Sequence, residues 1–134
     1  MGKIKISFDG SCRPINPGGL CTAASVIERD GRVIKMMSRI VGNGPSMSNN
    51  VGEYHGLKDA LLFLKDMGCT KDEIQVFGDS MMVIQQMKGN WKIKGGLYKS
   101  VALETKKLVA EFQDISFFWV PRAENSIADA LTAA

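Results

Sequence analysis

The spacing of apolar residues changes near residue 48, and this change constrains the fold more than any other feature. Lys3–Asp9 alternates apolar and polar side chains, which is the period of a strand. Cys21–Glu28 and Val33–Val41 have the composition of two more strands, and the tight segment Arg29-Asp-Gly-Arg32 between them is a hairpin signal. The chain is therefore predicted to open as a three-strand antiparallel meander. Gly10–Gly19, rich in glycine and proline, is predicted to be a loop that leaves Asp9 at a strand end.

After residue 48, predicted helices alternate with predicted strands. The helices are expected at Ser48–Met67, Ser80–Lys88, Leu97–Phe112 and Glu124–Leu131, and the strands at Ile74–Gly78 and Ile115–Val120. Strands separated by helices pair in parallel, so we predict an α/β fold with a mixed sheet.

Length and composition indicate one ordinary globular domain, residues 1–134. The first residues enter a strand directly and no apolar run approaches the ~20 residues of a membrane span, so we expect a cytoplasmic protein with no membrane partner. Three cysteines and one histidine favour free thiols over a zinc site or a disulfide framework. The net charge of +3 is too small to establish nucleic-acid binding by itself.

Four separated acidic residues occupy the positions that matter most for chemistry. Glu53 shares the apolar stripe of the first helix, and Asp9 and Asp79 each end a predicted strand. Asp129 lies beside the buried stripe of the last helix. Each has an ordinary explanation by itself: a helix-dipole acid, a turn residue, an N-cap and an exposed side chain, respectively.

Together the four acids point to a bound cation, because converging carboxylates repel one another unless a positive charge lies between them. Oxygen ligands without histidine or cysteine favour Mg²⁺, or Mn²⁺. This is the composition of a two-metal site for phosphoryl transfer.

Four short motifs occur in order across essentially the whole chain. They are Asp9-Gly-Ser-Cys12 followed by Asn16-Pro-Gly-Gly19, Ser48-Asn-Asn50 with Glu53, Gly78-Asp-Ser80, and Trp119-Val-Pro121 followed by Ala128-Asp-Ala130. As a set they resemble the type 1 ribonuclease H family. The resemblance implies an RNase H-like fold, a five-stranded mixed sheet flanked by helices. It also implies an endonuclease that cuts the RNA strand of RNA–DNA hybrids with two metal ions, leaving 5′-phosphate and 3′-hydroxyl ends.

The resemblance further assigns roles to individual residues. Asp9, Glu53, Asp79 and Asp129 would be the metal-binding catalytic carboxylates. Asn16, Asn50 and the main chain around Ser11 and Cys12 would line the minor groove and contact 2′-hydroxyls, which distinguish RNA from DNA. Further substrate contacts are expected from Ser80, Trp91, Lys92 and Arg122.

Three departures from the family pattern are visible. The loop before the last acid, Pro121–Ser126, lacks the histidine that many members have, and Arg122 or Glu124 is the candidate substitute. The sole histidine, His55, is predicted to be structural or exposed. Only Met87–Gly96 remains of the basic handle. The four lysines around Trp91 suit either a phosphate track or a plain solvated loop, and they are Lys88, Lys92, Lys94 and Lys99. Met81 follows Ser80 where a polar residue is expected.

Two alternatives remain open from the sequence. A relative that also or mainly cuts double-stranded RNA is compatible with the histidine-less loop. A non-catalytic nucleic-acid-binding module is disfavoured by the intact set of four acids. We expect a monomer with no protein partner.

Overall fold

A computed structural model describes residues 2–132, and its centre is a five-stranded mixed sheet in the order β3-β2-β1-β4-β5. The strands are β1 (Lys3–Arg13), β2 (Gly18–Arg29), β3 (Arg32–Gly44), β4 (Glu73–Gly78) and β5 (Asp114–Trp119). β1, β2 and β3 pair antiparallel, whereas β4 joins β1 and β5 joins β4 in parallel. The predicted α/β class, meander and mixed sheet are confirmed.

Helices lie on both faces of this sheet. They are α1 (Asn49–Asp66), α2 (Met81–Met87), α3 (Lys99–Val109) and α4 (Ser126–Thr132), with a 3₁₀ helix at Arg122–Asn125. Ile4, Ile6 and Phe8 of β1 pack with α1 in the main core, whereas Lys5 and Ser7 line a small cavity with α4. Because successive strand residues point to opposite faces, α1 and α4 lie on opposite sides of β1.

The first strand is longer than predicted, and this corrects the position of Asp9. Gly10–Arg13 was expected to be loop, but it continues β1 and pairs with β2 from Gly10 opposite Ala23 to Arg13 opposite Leu20. Only the short segment 14–17 forms the connection, because the prolines lie there. Asp9 is therefore inside a strand and not at its end.

The last predicted helix is also different. Glu124–Leu131 was expected to be one helix, but the chain first forms the 3₁₀ turn and becomes α-helical only at Ser126. Glu124 N–H bonds to the Pro121 carbonyl, and the buried side chain of Asn125 fixes the point where the two helices meet. α3 is shorter at both ends than the predicted Leu97–Phe112, because a turn closed by the Lys99 N–H on the Gly96 carbonyl precedes it and the helix ends at Val109.

The β2–β3 hairpin has the turn that its sequence predicts. Asp30 and Gly31 both have positive φ, 51° and 83°, as a two-residue type I′ turn requires. No helix within residues 2–132 is long and apolar enough to cross a membrane. The thiols of Cys12, Cys21 and Cys69 are free and buried.

Candidate active site

The site is built where α1 begins against the middle of β1, and a glycine makes the close approach possible. A Cβ at Gly10 would lie 2.2 Å from the Glu53 nitrogen, much closer than a side chain tolerates. A Cβ at Gly56 would likewise lie 2.9 Å from the Asp9 carbonyl oxygen. The two glycines let the helix rest directly on the strand. As a result the buried Glu53 reaches the buried Asp9, which is 1% exposed.

The start of α1 is fixed by a cap. The Ser48 hydroxyl accepts a hydrogen bond from the Val51 N–H, and Asn16 Oδ1 accepts one from the Asn49 N–H at 2.9 Å. These contacts satisfy helix N–H groups that have no partner within the helix. They hold the first turn, and so Glu53, in one place.

The third acid, Asp79, follows β4 directly. The sequence left open whether it caps α2, and the structure assigns that cap to Ser80, whose hydroxyl accepts from the Val83 N–H at 3.3 Å. The side chain of Asp79 is therefore free to face Asp9. The indole N–H of Trp119 donates to the Asp79 carbonyl oxygen at 3.1 Å, which ties β5 to the site.

Asp9, Glu53 and Asp79 converge. One carboxyl oxygen from each lies within 4.8 Å of the other two. Asp9 Oδ2 and Glu53 Oε2 are buried and have no hydrogen-bond partner. Buried polar atoms are normally paired, so two unpaired oxygens aimed into one cluster fit a cation held there.

The electrostatics of the cluster support the same conclusion. Burial raises the pKa of Asp9 to about 7, with a further rise from Asp79, while Glu53 opposes the rise through a hydrogen bond. Burial, followed by the charge of Asp9, raises the pKa of Glu53 well above its ordinary value. The protein alone thus holds these acids in a costly state, which a divalent cation would relieve.

The fourth acid, Asp129, lies beside this group of three and not within it. It comes from α4, it contributes to the raised pKa of Asp9, and its side chain is 35% exposed. Arg122 Nε lies 3.8 Å from Asp129 Oδ1 and also 3.8 Å from Asp79 Oδ2. The guanidinium of Arg122 therefore bridges two of the four acids.

Asn125 was missed from the sequence. Its side-chain amide is buried and donates to the Phe8 carbonyl oxygen at 2.9 Å. The available signal was its spacing: Asn125 lies four residues before Asp129, on the same side of the helical segment. This bond fastens the segment that bears Asp129 to the strand that bears Asp9.

The predicted minor-groove residues have different environments. Ser11 and Cys12 are buried in β1, whereas Asn50 is half-buried in the first turn of α1 and Asn16 is exposed. The side chain of Asn16 uses its oxygen on α1, so its amide nitrogen is the group left for a ligand. These contacts stay predictions.

The basic loop after α2 is held in a fixed shape by a network that sequence reasoning missed. Buried Gln86 donates to the Lys92 carbonyl oxygen at 3.1 Å and to the Tyr98 hydroxyl at 3.2 Å, and it accepts from the Tyr54 hydroxyl. Tyr54 and Tyr98 also stack, with ring centroids 5.9 Å apart. Trp91 remains 47% exposed beside a groove that Lys92 also lines. A lone glutamine in a short helix gave no sequence signal for this role.

His55 is engaged elsewhere. Its Nδ1 lies 3.2 Å from Nη2 of Arg39, and the Nε of the same arginine pairs with Asp59 at 2.7 Å. Burial lowers the pKa of His55. The structure does not bring the histidine into the carboxylate cluster.

Comparison with known proteins places this arrangement in a family. The family model described as reverse transcriptase-like matches residues 7–134. The bifunctional protein Rv2228c of Mycobacterium tuberculosis is 35% identical over 130 residues, which is 96% of this chain and 34% of that protein. The chain thus spans about a third of the length of this curated relative.

Solved structures agree in fold. The N-terminal RNase H domain of the same mycobacterial protein superimposes with a TM-score of 0.87 at 32% identity, over 99% of this chain and 92% of that one. RNase H1 from Halobacterium salinarum superimposes with a TM-score of 0.85 at 31% identity, over 98% of this chain and 96% of that one. LC11-RNase H1 in complex with an RNA/DNA hybrid superimposes with a TM-score of 0.86 at 29% identity, over 97% of this chain and 94% of that one. The chain therefore belongs to the reverse transcriptase-like family and, within it, to the type 1 ribonucleases H.

Proposed function

We propose that this chain is an endoribonuclease that hydrolyses the RNA strand of RNA–DNA hybrids with two divalent ions, leaving 5′-phosphate and 3′-hydroxyl ends. The observation behind the proposal is the convergence of Asp9, Glu53 and Asp79 with two buried, unpartnered oxygens. Membership of the type 1 ribonucleases H, and the hybrid bound to LC11-RNase H1, support the choice of substrate. The activity is assigned to residues 1–134 as one catalytic domain.

The four acids divide naturally between two ions. Asp9, Glu53 and Asp79 would hold one, and Asp129, with the neighbouring Asp9, would hold the other. All ligands are oxygens, which favours Mg²⁺, with Mn²⁺ as a substitute. When bound, such ions activate water and offset the charge that develops on the phosphate.

The remaining residues of the chain would position the duplex. Asn16 and Asn50 flank the start of α1, next to Glu53, where side-chain amides suit 2′-hydroxyls. Trp91 and Lys92 offer an exposed ring and a charge on a loop that Gln86 holds in shape, which suits a nucleic-acid backbone. Ser11, Cys12, Ser80 and Arg122 complete the proposed contacts.

The test is cleavage of an end-labelled RNA–DNA hybrid in Mg²⁺ by wild type, Asp79→Asn and the control Asp66→Asn. Asp66 is exposed at the end of α1, so its variant makes the same chemical change outside the site. We expect cutting of the RNA strand alone, with 5′-phosphate ends, by wild type and Asp66→Asn. Asp79→Asn should lose at least about a hundredfold in rate, and chelation should abolish cutting.

The same assay separates the competing functions. Single-stranded RNA, double-stranded RNA and double-stranded DNA are included at equal concentration. Faster cutting of double-stranded RNA than of the hybrid would replace the proposed substrate. Binding of hybrid without any cutting would instead indicate a nucleic-acid-binding module.

The cellular setting is part of the proposal. A cytoplasmic location fits the three free thiols, which are typical of reducing compartments. We propose a monomer that needs no protein partner for cutting. Gel filtration with in-line light scattering of the active protein tests this assignment.

A further inference from the structure

Arg122 has a main chain that is held in place and a side chain that is exposed to solvent. Its main chain belongs to the 3₁₀ turn that ends at the buried Asn125, and Asn125 is bonded to β1. Its side chain is 74% exposed, although Nε faces Asp79 and Asp129 at 3.8 Å each. A charge-assisted hydrogen bond is about 2.7 to 2.9 Å long, so both contacts are loose ion pairs that can exchange.

Arg122 is the one cation within 4.0 Å of the four acids among residues 2–132. Burial raises the pKa of Asp79, and the guanidinium of Arg122 partly offsets that rise. Asp9 and Glu53 have no such cation and keep unpartnered oxygens. The guanidinium of Arg122 is therefore shared equally between Asp79 and Asp129, and the two unpartnered oxygens belong to the acids that it does not contact.

This asymmetry has a consequence for ion binding. A divalent ion at Asp9, Glu53 and Asp79 meets two acids with unpaired oxygens and only one, Asp79, that pairs with Arg122. An ion at Asp129 must instead displace, or lie beside, a guanidinium that already pairs with that carboxylate, and two cations repel. The two ion sites should therefore differ in affinity for a reason that lies in one side chain.

We propose that Arg122 occupies Asp129 in the substrate-free protein, opposes the second divalent ion there, and leaves for a substrate phosphate, so that substrate entry promotes binding of the second ion. The proposal rests on the proposed function for its substrate. Guanidinium binds phosphate in a forked geometry at least as well as carboxylate, and the exposed side chain is free to turn towards it. Arg122 would thus be a positioning residue for the ion site as well as a substrate contact.

The test measures ion binding without any cleavage. Mn²⁺ is titrated into substrate-free protein and counted by electron paramagnetic resonance, for wild type, Arg122→Gln, Arg122→Lys and the control Arg32→Gln. Arg32 is exposed at the far hairpin, so its variant removes the same charge far from the acids. Arg122 is itself exposed, so its replacement should not prevent folding.

We expect Arg122→Gln to tighten the second Mn²⁺ about tenfold and the first by clearly less, because two of the first ion's three acids do not pair with Arg122. Arg122→Lys keeps the charge and should stay closer to wild type, and Arg32→Gln should change neither ion. A second ion that binds Arg122→Gln no more tightly than wild type, or not at all, would overturn the proposal. An equal gain with Arg32→Gln would also overturn it, because net charge would then be the cause.

A kinetic measurement tests whether substrate binding is coupled to binding of the second ion. At hybrid concentrations well below KM, where the free protein binds the ion, the Mg²⁺ concentration that gives half-maximal cutting should fall in Arg122→Gln, while the KM for hybrid rises. A rise in KM with an unchanged Mg²⁺ midpoint would reduce Arg122 to a substrate contact alone and overturn the coupling. If wild type cuts no hybrid, the proposed function fails, yet the Mn²⁺ titration still decides the role of Arg122 at the ion site.

Discussion

The side-chain amide of Asn125 donates a hydrogen bond to the main-chain carbonyl of Phe8 across 117 residues of sequence. Phe8 directly precedes Asp9, and Asn125 lies four residues before Asp129. A single buried bond therefore sets the distance between an acid on the central strand and an acid on the last helix. The structure of the site depends on this contact as much as on the acids themselves.

Replacing Asn125 with alanine should destabilise the protein and loosen the site. The Phe8 carbonyl would lose its buried partner, which costs about 1 to 3 kcal/mol in the free energy of unfolding. Urea denaturation measures this loss, and the exposed Asn90→Ala variant should stay within about 0.5 kcal/mol of wild type. An Asn125→Ala protein as stable as Asn90→Ala would contradict the role given to this bond.

The metal-free protein should lose stability as the pH rises. Asp9 has a folded pKa of about 7 against 3.8 as its ordinary value, so the folded state binds the proton more tightly than the unfolded state. The resulting stability is present below about pH 4 and is lost as pH rises through about 7. The shift of Glu53 acts in the same direction.

Thermal unfolding in chelator across pH 4 to 8 tests this dependence. Asp9→Asn should have a flatter profile, with a Tm advantage over wild type that grows with pH, whereas Asp66→Asn should follow wild type. Mg²⁺ should stabilise wild type more at pH 8 than at pH 5. A wild-type profile in chelator that rises from pH 5 to pH 8 would contradict the prediction.

Gly10→Ala should be among the most damaging small substitutions in the chain. The added Cβ would lie 2.2 Å from the Glu53 nitrogen and 2.3 Å from the Gly52 carbonyl carbon, so α1 must move away from β1. We expect a loss of about 3 kcal/mol or more in the free energy of unfolding, together with weaker Mn²⁺ binding. Gly95→Ala meets no atom within 4 Å and serves as the control. Equal stability of the two variants would show that α1 can shift without cost.

Lys92→Ala should weaken hybrid binding in a salt-dependent way. If Lys92 contacts one phosphate, its loss lowers the slope of log affinity against log salt by about one. Fluorescence anisotropy of a labelled hybrid in chelator measures the slope. Lys71→Ala is the matched control, because Lys71 precedes β4 at the end of the sheet opposite Asp79. An unchanged slope for Lys92→Ala would indicate that the loop is merely solvated.

The architecture could be predicted because local patterns and global fold agree. Alternation in Lys3–Asp9, the Asp30-Gly31 turn and the helical period after Ser48 each reflect which face is buried, and burial is what a sequence records best. The family motifs then identified four acids, and the structure brings three of them, Asp9, Glu53 and Asp79, together. Asp129 stands somewhat apart from the other three.

The errors in the fold have one physical cause. Gly10 was interpreted as a loop residue because glycine usually signals a turn, whereas here it is needed for the approach of α1 inside a strand. The split of the last helix depends on Asn125 bonding to a strand more than a hundred residues away. Contacts of this kind are tertiary, and no local pattern in the sequence reports them.

The site residues that sequence reasoning missed also act through tertiary contacts. Gln86, Tyr54 and Asn125 act through hydrogen bonds to main-chain or side-chain atoms of distant elements. Arg122 was expected to contact substrate, but its position between Asp79 and Asp129 could only be seen in three dimensions.

The continuation of β1 beyond Asp9 fixes the distance between Asp9 and the residues that follow it on the same strand. Asp9 and Ser11 project from the same side of one strand, and two strand residues span about 7 Å. If Ser11 contacts a ribose and Asp9 holds an ion, as proposed, the group that recognises the sugar and the group that serves cleavage lie a fixed distance apart on the same strand. The spacing between the sugar that is recognised and the bond that is cut would then be set by the strand itself, wherever the protein binds along the duplex.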